Sequence, residues 1–237
     1  MGKQYIQGDI HDVIKTLDKN SVDFIYTDPP FGITSAKWDN GLRWDELFKQ
    51  MWRVLKPKGV ICIYASMPFT YELVKHQKPK YNYTWIKNNS TGFFAAKYQP
   101  LRQTEEIFVY YKKAGGYNPQ MCGDLTEFHP KRKVKYGGKN GYWGKAGINK
   151  KDEYDHSKEA GHYGRFPTNV INFKVRKDKT GITRTDEHID HFIKTYSKEG
   201  ETVLDMTCHN QYVGNRCVAL NRNYIGVDID ISHVENI

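Results

Sequence analysis

A β-prone run, Val22-Asp23-Phe24-Ile25-Tyr26-Thr27, is cut short by Asp28-Pro29-Pro30, and this interruption constrains the fold more than any other feature of the chain. Neither proline can donate to a strand ladder, so the strand ends where an acidic residue begins. Downstream, Trp44, Leu47, Phe48, Met51, Trp52 and Leu55 recur at helical spacing, and Lys56-Pro57-Lys58-Gly59 supplies a stop before a second β-prone run over 60–65. Residues 4–8 read as an earlier strand, followed by a helical turn over 12–17. Further strands are expected over 83–86, 107–111, 202–204 and 224–227, with helices over 187–196 and 212–220. Strands alternating with helices predict an α/β fold, a largely parallel sheet with helices on both faces and, at 83–86 and 107–111, an antiparallel edge.

The charge is unevenly distributed. Residues 112–179 hold 16 Lys+Arg against 7 Asp+Glu and carry the whole formal excess of +9, while the rest of the chain is balanced. This segment also lacks apolar periodicity and reads as a loop-rich insertion. A localised positive field favours a polyanion, because phosphate contacts with counterion release dominate non-specific nucleic-acid affinity; the plainer reading is a solvated lysine-rich loop. Within it, Lys131-Arg132-Lys133 and Lys135 are interleaved with aromatic residues and are the candidate phosphate contacts, joined by Lys37 and Trp38 after the prolines. Cys62, Cys122, Cys208 and Cys217 have no zinc-ribbon spacing and are expected to be reduced. None of the nine histidines falls in a metal-ligand pattern, so no metal is expected. No apolar run reaches membrane length and the start lacks the build of a secretion signal, which places the expected protein in the cytoplasm without membrane contact.

Asp28-Pro29-Pro30-Phe31 falls at the carboxyl end of a predicted buried strand, where open α/β sheets gather ligand-binding groups. A carboxylate beside a rigid main-chain carbonyl can accept both hydrogens of an exocyclic base amino group and favour a tetrahedral, more nucleophilic nitrogen. Phe31 would offer a stacking face to an extruded base. The alternative is a proline-stiffened turn begun by an aspartate.

The tetrad, with Gln7-Gly8-Asp9 before it and Val203-Leu204-Asp205 and Gly226-Val227-Asp228 after it, resembles the β-class DNA amino-methyltransferases, especially small phage-type members. Gln99-Pro100-Leu101-Arg102, Tyr117-Asn118-Pro119-Gln120 and Arg165-Phe166-Pro167-Thr168-Asn169-Val170 extend the likeness to nearly the whole chain. The resemblance implies a circularly permuted Rossmann-like S-adenosylmethionine fold. Residues 1–111 would form the catalytic half, 112–179 the inserted target-recognition region and 180–237 the cofactor-binding half, with the last strand lying beside the first. It further implies DNA as partner, duplex first with RNA or a single strand as open alternatives, a bacterial or phage-infected cell, methylation of adenine N6 with cytosine N4 as the alternative, and no stated oligomeric state. Asp28, Pro29, Pro30 and Phe31 would be catalytic, with Asp28 also counted among the cofactor-binding residues. Asp9 would lie near the cofactor adenine, Asp205 near its methionine end, and Asp228 at the ribose hydroxyls.

Two elements depart from the family pattern. Asp205-Met206-Thr207-Cys208-His209-Asn210-Gln211 stands where an Asp-Pro-Phe-x-Gly-x-Gly loop is usual, and Thr183-Arg184-Thr185-Asp186 where Thr-x-Lys-Pro is usual. Glycine permits positive φ and close backbone approach; Asn210 is the expected replacement in the left-handed conformation. Thr207, His209 and Asn210 are candidate cofactor ligands, and a retired protein that only binds DNA or a partner is the rival reading.

Overall fold

The computed structural model describes residues 2–32, 39, 41–129, 162–178 and 181–234. β1 (Lys3–Gln7), α1 (Ile10–Thr16), β2 (Val22–Thr27), α2 (Trp44–Val54), β3 (Leu55–Ala65), α3 (Phe69–His76), β4 (Tyr81–Thr91), a one-turn 3-10 helix (Phe93–Ala95) and β5 (Arg102–Tyr111) come first. They are followed by β6 (Phe128–His129), β7 (His162–Tyr163), β8 (Val170–Ile171), β9 (Val175–Asp178), β10 (Gly181–Arg184), α4 (Asp186–Tyr196), β11 (Thr202–Asp205), α5 (Tyr212–Ala219) and β12 (Asn223–Asp228).

The main sheet has eight strands in the order β1-β12-β11-β2-β3-β5-β4-β8. β1 pairs in parallel with β12, Tyr5 against Gly226, so the last strand lies beside the first as the permuted reading requires. β12, β11, β2 and β3 continue in parallel, whereas β5 runs antiparallel to both β3 and β4. The carboxyl ends of β1, β12, β11 and β2 therefore open on one edge of the sheet.

Period-two alternation divides the core between the two faces. Ile25, Ile61 and Ile63 pack with Ile14 of α1, Leu47 and Met51 of α2 and Leu73 of α3. Phe24, Tyr26, Cys62 and Tyr64 pack on the other face with Ile189 and Phe192 of α4 and Cys217 of α5. α4 and α5 are also tied by a two-bond Arg216–Asp190 pair at 2.6 and 2.7 Å, the fork geometry suited to arginine and carboxylate. All four cysteines are free thiols.

The expected stop at Lys56-Pro57-Lys58-Gly59 ends α2 but is not a loop, because these residues lie inside β3. The register jumps from Val22–Leu55 to Phe24–Val60, and this bulge takes up the proline without costing a ladder bond. Gly59 is needed there, since a Cβ would come within 2.7 Å of the Asp23 carbonyl. Sequence periodicity also passed over α3 and the short strands β8, β9 and β10. β8 returns to the main sheet beside β4, with Trp85 opposite Ile171. The unit formed by Pro119–Pro167 is accordingly narrower than the 112–179 region read as an insertion, because β8 and the β9–β10 hairpin are packed with Met1–Asn118 in the other unit. Within Pro119–Pro167, β6 pairs with β7 and Cys122 bridges Arg165. Among the described residues, no helix is long and apolar enough to cross a membrane.

Candidate active site

From β11 the chain moves to β12 on one side, and from β2 to β3 on the other, so the gap between β11 and β2 is the switch point at which open α/β sheets bind ligands. The Thr27 and Thr207 hydroxyls meet across it at 2.9 Å. Asp28 follows β2, Asp205 ends β11, Asp228 ends β12 and Asp9 follows β1. Four carboxylates, the outermost 219 residues apart in sequence (Asp9 and Asp228), are thus collected on one rim by parallel register.

Asp28 and Phe31 line a cavity of about 290 Å³ together with Trp85, Lys87, Glu105 and Arg184, at the small end of the roughly 300–1,000 Å³ typical of ligand pockets. Pro29 is buried. The Phe31 ring stacks on Phe69 at 5.1 Å between centroids and 14° between planes, so one face is spent on anchoring the ring. Arg184 Nη1 donates to Asp28 Oδ2 at 2.5 Å. The same guanidinium lies 3.7 Å from the centroid of the Tyr64 ring and 3.7 Å from Glu105, which in turn accepts from Lys87 at 2.8 Å. Asp28, Arg184, Glu105 and Lys87 form an alternating chain of charges. Burial pushes the Asp28 carboxyl up, Arg184 opposes this, and Glu105 adds to it. Beneath the chain, the Tyr64 hydroxyl meets Tyr26 at 2.7 Å and His188 Nε2 at 2.9 Å.

The expected cofactor residues divide into available and occupied groups. Asp205 is 4% exposed, accepts from the Thr207 amide at 3.3 Å, and is pushed up to about 7 by burial and by the nearby charges of Asp228 and Asp28. Asp228 accepts from the His209 amide at 2.8 Å and the Asp230 amide at 3.2 Å, one on each oxygen. Asp9 caps α1 through the His11 amide and also meets His11 Nδ1, both at 2.8 Å; the backbone hydrogen bond from His11 is the main cause of its lowered pKa. His11 Nε2 accepts from the Arg43 amide at 3.1 Å, so the ring proton sits on Nδ1 and points at Asp9. In each of these pairs a carboxylate lone pair remains for a ligand.

The altered loop corrects one expectation. His209, with φ +49°, takes the left-handed conformation, and Asn210 does not. Asn210 is 6% exposed and its side-chain oxygen accepts from the Tyr212 amide at 3.1 Å at the start of α5, which employs it structurally. His209 is exposed and its ring packs 5.0 Å from His233. Lys37, Trp38, Lys131, Arg132, Lys133 and Lys135 lie outside the described residues.

Sequence reading missed Arg184, Glu105 and Lys87 as parts of this site. The signal for Lys87 was present: Tyr83, Trp85 and Lys87 alternate on one face of β4, and all three are buried. Extending the period by two residues puts a lysine indoors, where it needs a carboxylate. Nothing local pairs Arg184 with an aspartate 156 residues away.

Comparison with known proteins follows the same chemistry. "Type II methyltransferase M.HpaI" of Haemophilus parainfluenzae is 26% identical over 242 residues, covering 94% of this chain and 68% of its own. "DNA adenine methyltransferase YhdJ" of Escherichia coli K12 is 26% identical over 247 residues, covering 98% and 80%. Among solved structures, the M1.HpyAVI complex with SAM aligns with a TM-score of 0.60 at 19% identity, covering 97% of this chain and 95% of that one. The cytosine-N4-specific PvuII DNA methyltransferase aligns with a TM-score of 0.65 at 11% identity, covering 98% and 84%. These last two establish likeness of fold. The profile of the N6_N4_Mtase family, described as DNA methylase, matches residues 22–237, which takes in the tetrad, the charge chain around it and the carboxylates of β11 and β12, and the chain belongs to that family of DNA methylases.

Proposed function

We propose that this chain transfers a methyl group from S-adenosylmethionine to the exocyclic amino nitrogen of a base turned out of DNA, with adenine N6 as the target. The observation that carries the reading is Asp28, held at the switch point and opening on a cavity of single-base scale. Arg184 takes Oδ2 and leaves Oδ1 to accept an amino hydrogen of the base. That contact favours a nucleophilic nitrogen, and the site does so by orientation rather than by a strong base. Phe31, braced by Phe69, walls the cavity. The relative named as an adenine methyltransferase, aligned over 98% of this chain, supports adenine over cytosine.

The rim fits the cofactor by its donor set: Asp205 suits the methionine ammonium, Asp228 the ribose hydroxyls and Asp9 the adenine amino group. The bound cofactor supplies an already activated methyl group on a sulfonium. Incubation of the protein with unmethylated duplex DNA and methyl-labelled S-adenosylmethionine, followed by nucleoside digestion, is expected to place label in N6-methyladenine. Label in N4-methylcytosine would correct the target, whereas DNA binding without label and without cofactor binding would sink the enzymatic reading.

Asp205 adds a pH prediction. An ammonium is held by the carboxylate form, so cofactor affinity is expected to weaken as pH falls through about 7. Asp205→Asn should bind weakly and without that pH step, as read by calorimetry. Stability runs the other way. The folded chain holds an extra proton between the ordinary carboxyl pKa of about 4 and the raised value of about 7, so wild-type stability falls as pH rises across that window. Asp205→Asn removes the loss and is expected to melt ~5 °C higher than wild type at pH 8, with little difference at pH 4.

A further inference from the structure

The turn between β4 and β5 exposes three aromatic rings in sequence: Phe93 is 69% exposed, Phe94 107% and Tyr98 90%. Contiguous apolar exposure of this kind marks an interaction surface. The rings are not on a slack loop. Gly92, at φ +92°, turns the chain into the 3-10 helix, and the amides of Tyr98 and Gln99 both return to the Ala95 carbonyl, at 2.9 and 3.0 Å. A braced tip holds the rings outward.

Two further features point to the occupant. The exposed charges of the turn and its root, Lys97 and Arg102, are both positive, and the stretch from 87 to 102 holds no acidic residue, which suits a polyanion. The tip also grows directly from the base cavity: Thr91 and Arg102, paired across the two strands at its root, line the same cavity as Asp28. Between Ile86–Thr104 and Thr91–Arg102, β4 carries four residues against one on β5, an irregularity of the kind that bends a strand out of its ladder. An apolar ring placed next to the mouth of a pocket for an extruded base is in position to occupy the gap that the base leaves in the stack. Architectural proteins use the same device when they wedge apolar side chains between base steps.

We propose that Phe94, on the same turn as Phe93 and Tyr98, is a wedge that enters duplex DNA at the step vacated by the target base, while Lys97 and Arg102 hold the flanking phosphates. The inference rests on the methyltransferase reading. The wedge offsets the cost of unpairing and unstacking, a cost that a single strand does not present.

The test compares native with heat-denatured unmethylated genomic DNA as substrate for the full chain and for Phe94→Ala, Phe93→Ala/Phe94→Ala and Phe94→Trp. The alanine variants are expected to lose about tenfold or more in kcat/KM on native DNA and less than about threefold on denatured DNA. Phe94→Trp, which keeps a flat ring, should recover native-DNA methylation, and its added indole emission should be quenched by native DNA beyond the wild-type change. Equal loss on both substrates, or no loss on native DNA, overturns the wedge. So does conversion of a wild-type dimer to monomer with an unchanged substrate ratio, which would assign the rings to self-association. A wild-type chain that methylates neither DNA instead removes the methyltransferase reading itself.

Discussion

Asp28→Asn is expected to lower kcat for methyl transfer by roughly 10²–10³-fold, the scale associated with removing one preorganised electrostatic partner from a reacting group. The amide retains the shape of the carboxylate but not the charge that faces Arg184 and the base amino group. Cofactor affinity should stay within about twofold, because the rim carboxylates Asp9, Asp205 and Asp228 are separate side chains. Asp28→Ala should be as inactive and also less stable, since it leaves Arg184, only 13% exposed, without its main partner. Single-turnover transfer of labelled methyl, with calorimetric cofactor titration, separates the two effects. Wild-type turnover in Asp28→Asn would remove the tetrad from the reaction.

Arg184 is the second position with a large expected effect, and its role is to position Asp28. Arg184→Ala leaves Asp28 and Glu105 sharing the cavity with Lys87 as their buried counter-charge and Arg102 at its exposed side. A loss of about 1–2 kcal/mol in stability is expected, below the scale for breaking a fully buried pair because the Asp28 side chain is 39% exposed, and a roughly 10–100-fold fall in kcat/KM is the companion expectation for a misplaced carboxylate. A purely structural role would stop there, and the pH profile distinguishes the two. Burial already pushes Asp28 up, and Arg184 is the strongest influence holding it down. Without the guanidinium the carboxyl rises further, so the fall in rate on acidification should begin at a higher pH than in wild type. Arg184→Lys should restore the acid limb more fully than the rate, because lysine returns the charge but not the planar stack on Tyr64. An unshifted acid limb in Arg184→Ala would show that Arg184 does not control Asp28.

Much of the site was readable because it rests on local rules. Two prolines end a strand wherever they occur, so Asp28 could be placed at a strand terminus before any fold was known. Short apolar runs ending in Asp205 and Asp228 announced the other rim carboxylates in the same way. The failures are equally specific. Pro57 reads as a breaker, yet sits in β3 because a register jump against β2 absorbs it. Asn210 has the better intrinsic preference for positive φ, yet His209 adopts it, while Asn210 is held at the start of α5 by the Tyr212 amide. In both cases a tertiary or capping contact outweighed a residue preference worth on the order of 1 kcal/mol.

By itself the sequence determined the alternation of strands and helices and the acidic residues at the strand ends, because each depends on neighbours along the chain; the last strand lying beside the first was implied by the family resemblance and is a matter of sheet order. Only the tertiary structure decided that Arg184 closes on Asp28, that Lys87 and Glu105 complete the charge chain, and that the β4–β5 turn is rooted, through Thr91 and Arg102, in the same cavity. Those meetings join residues from different strands, and a pairing of that kind is set by sheet order and register, which no local pattern encodes.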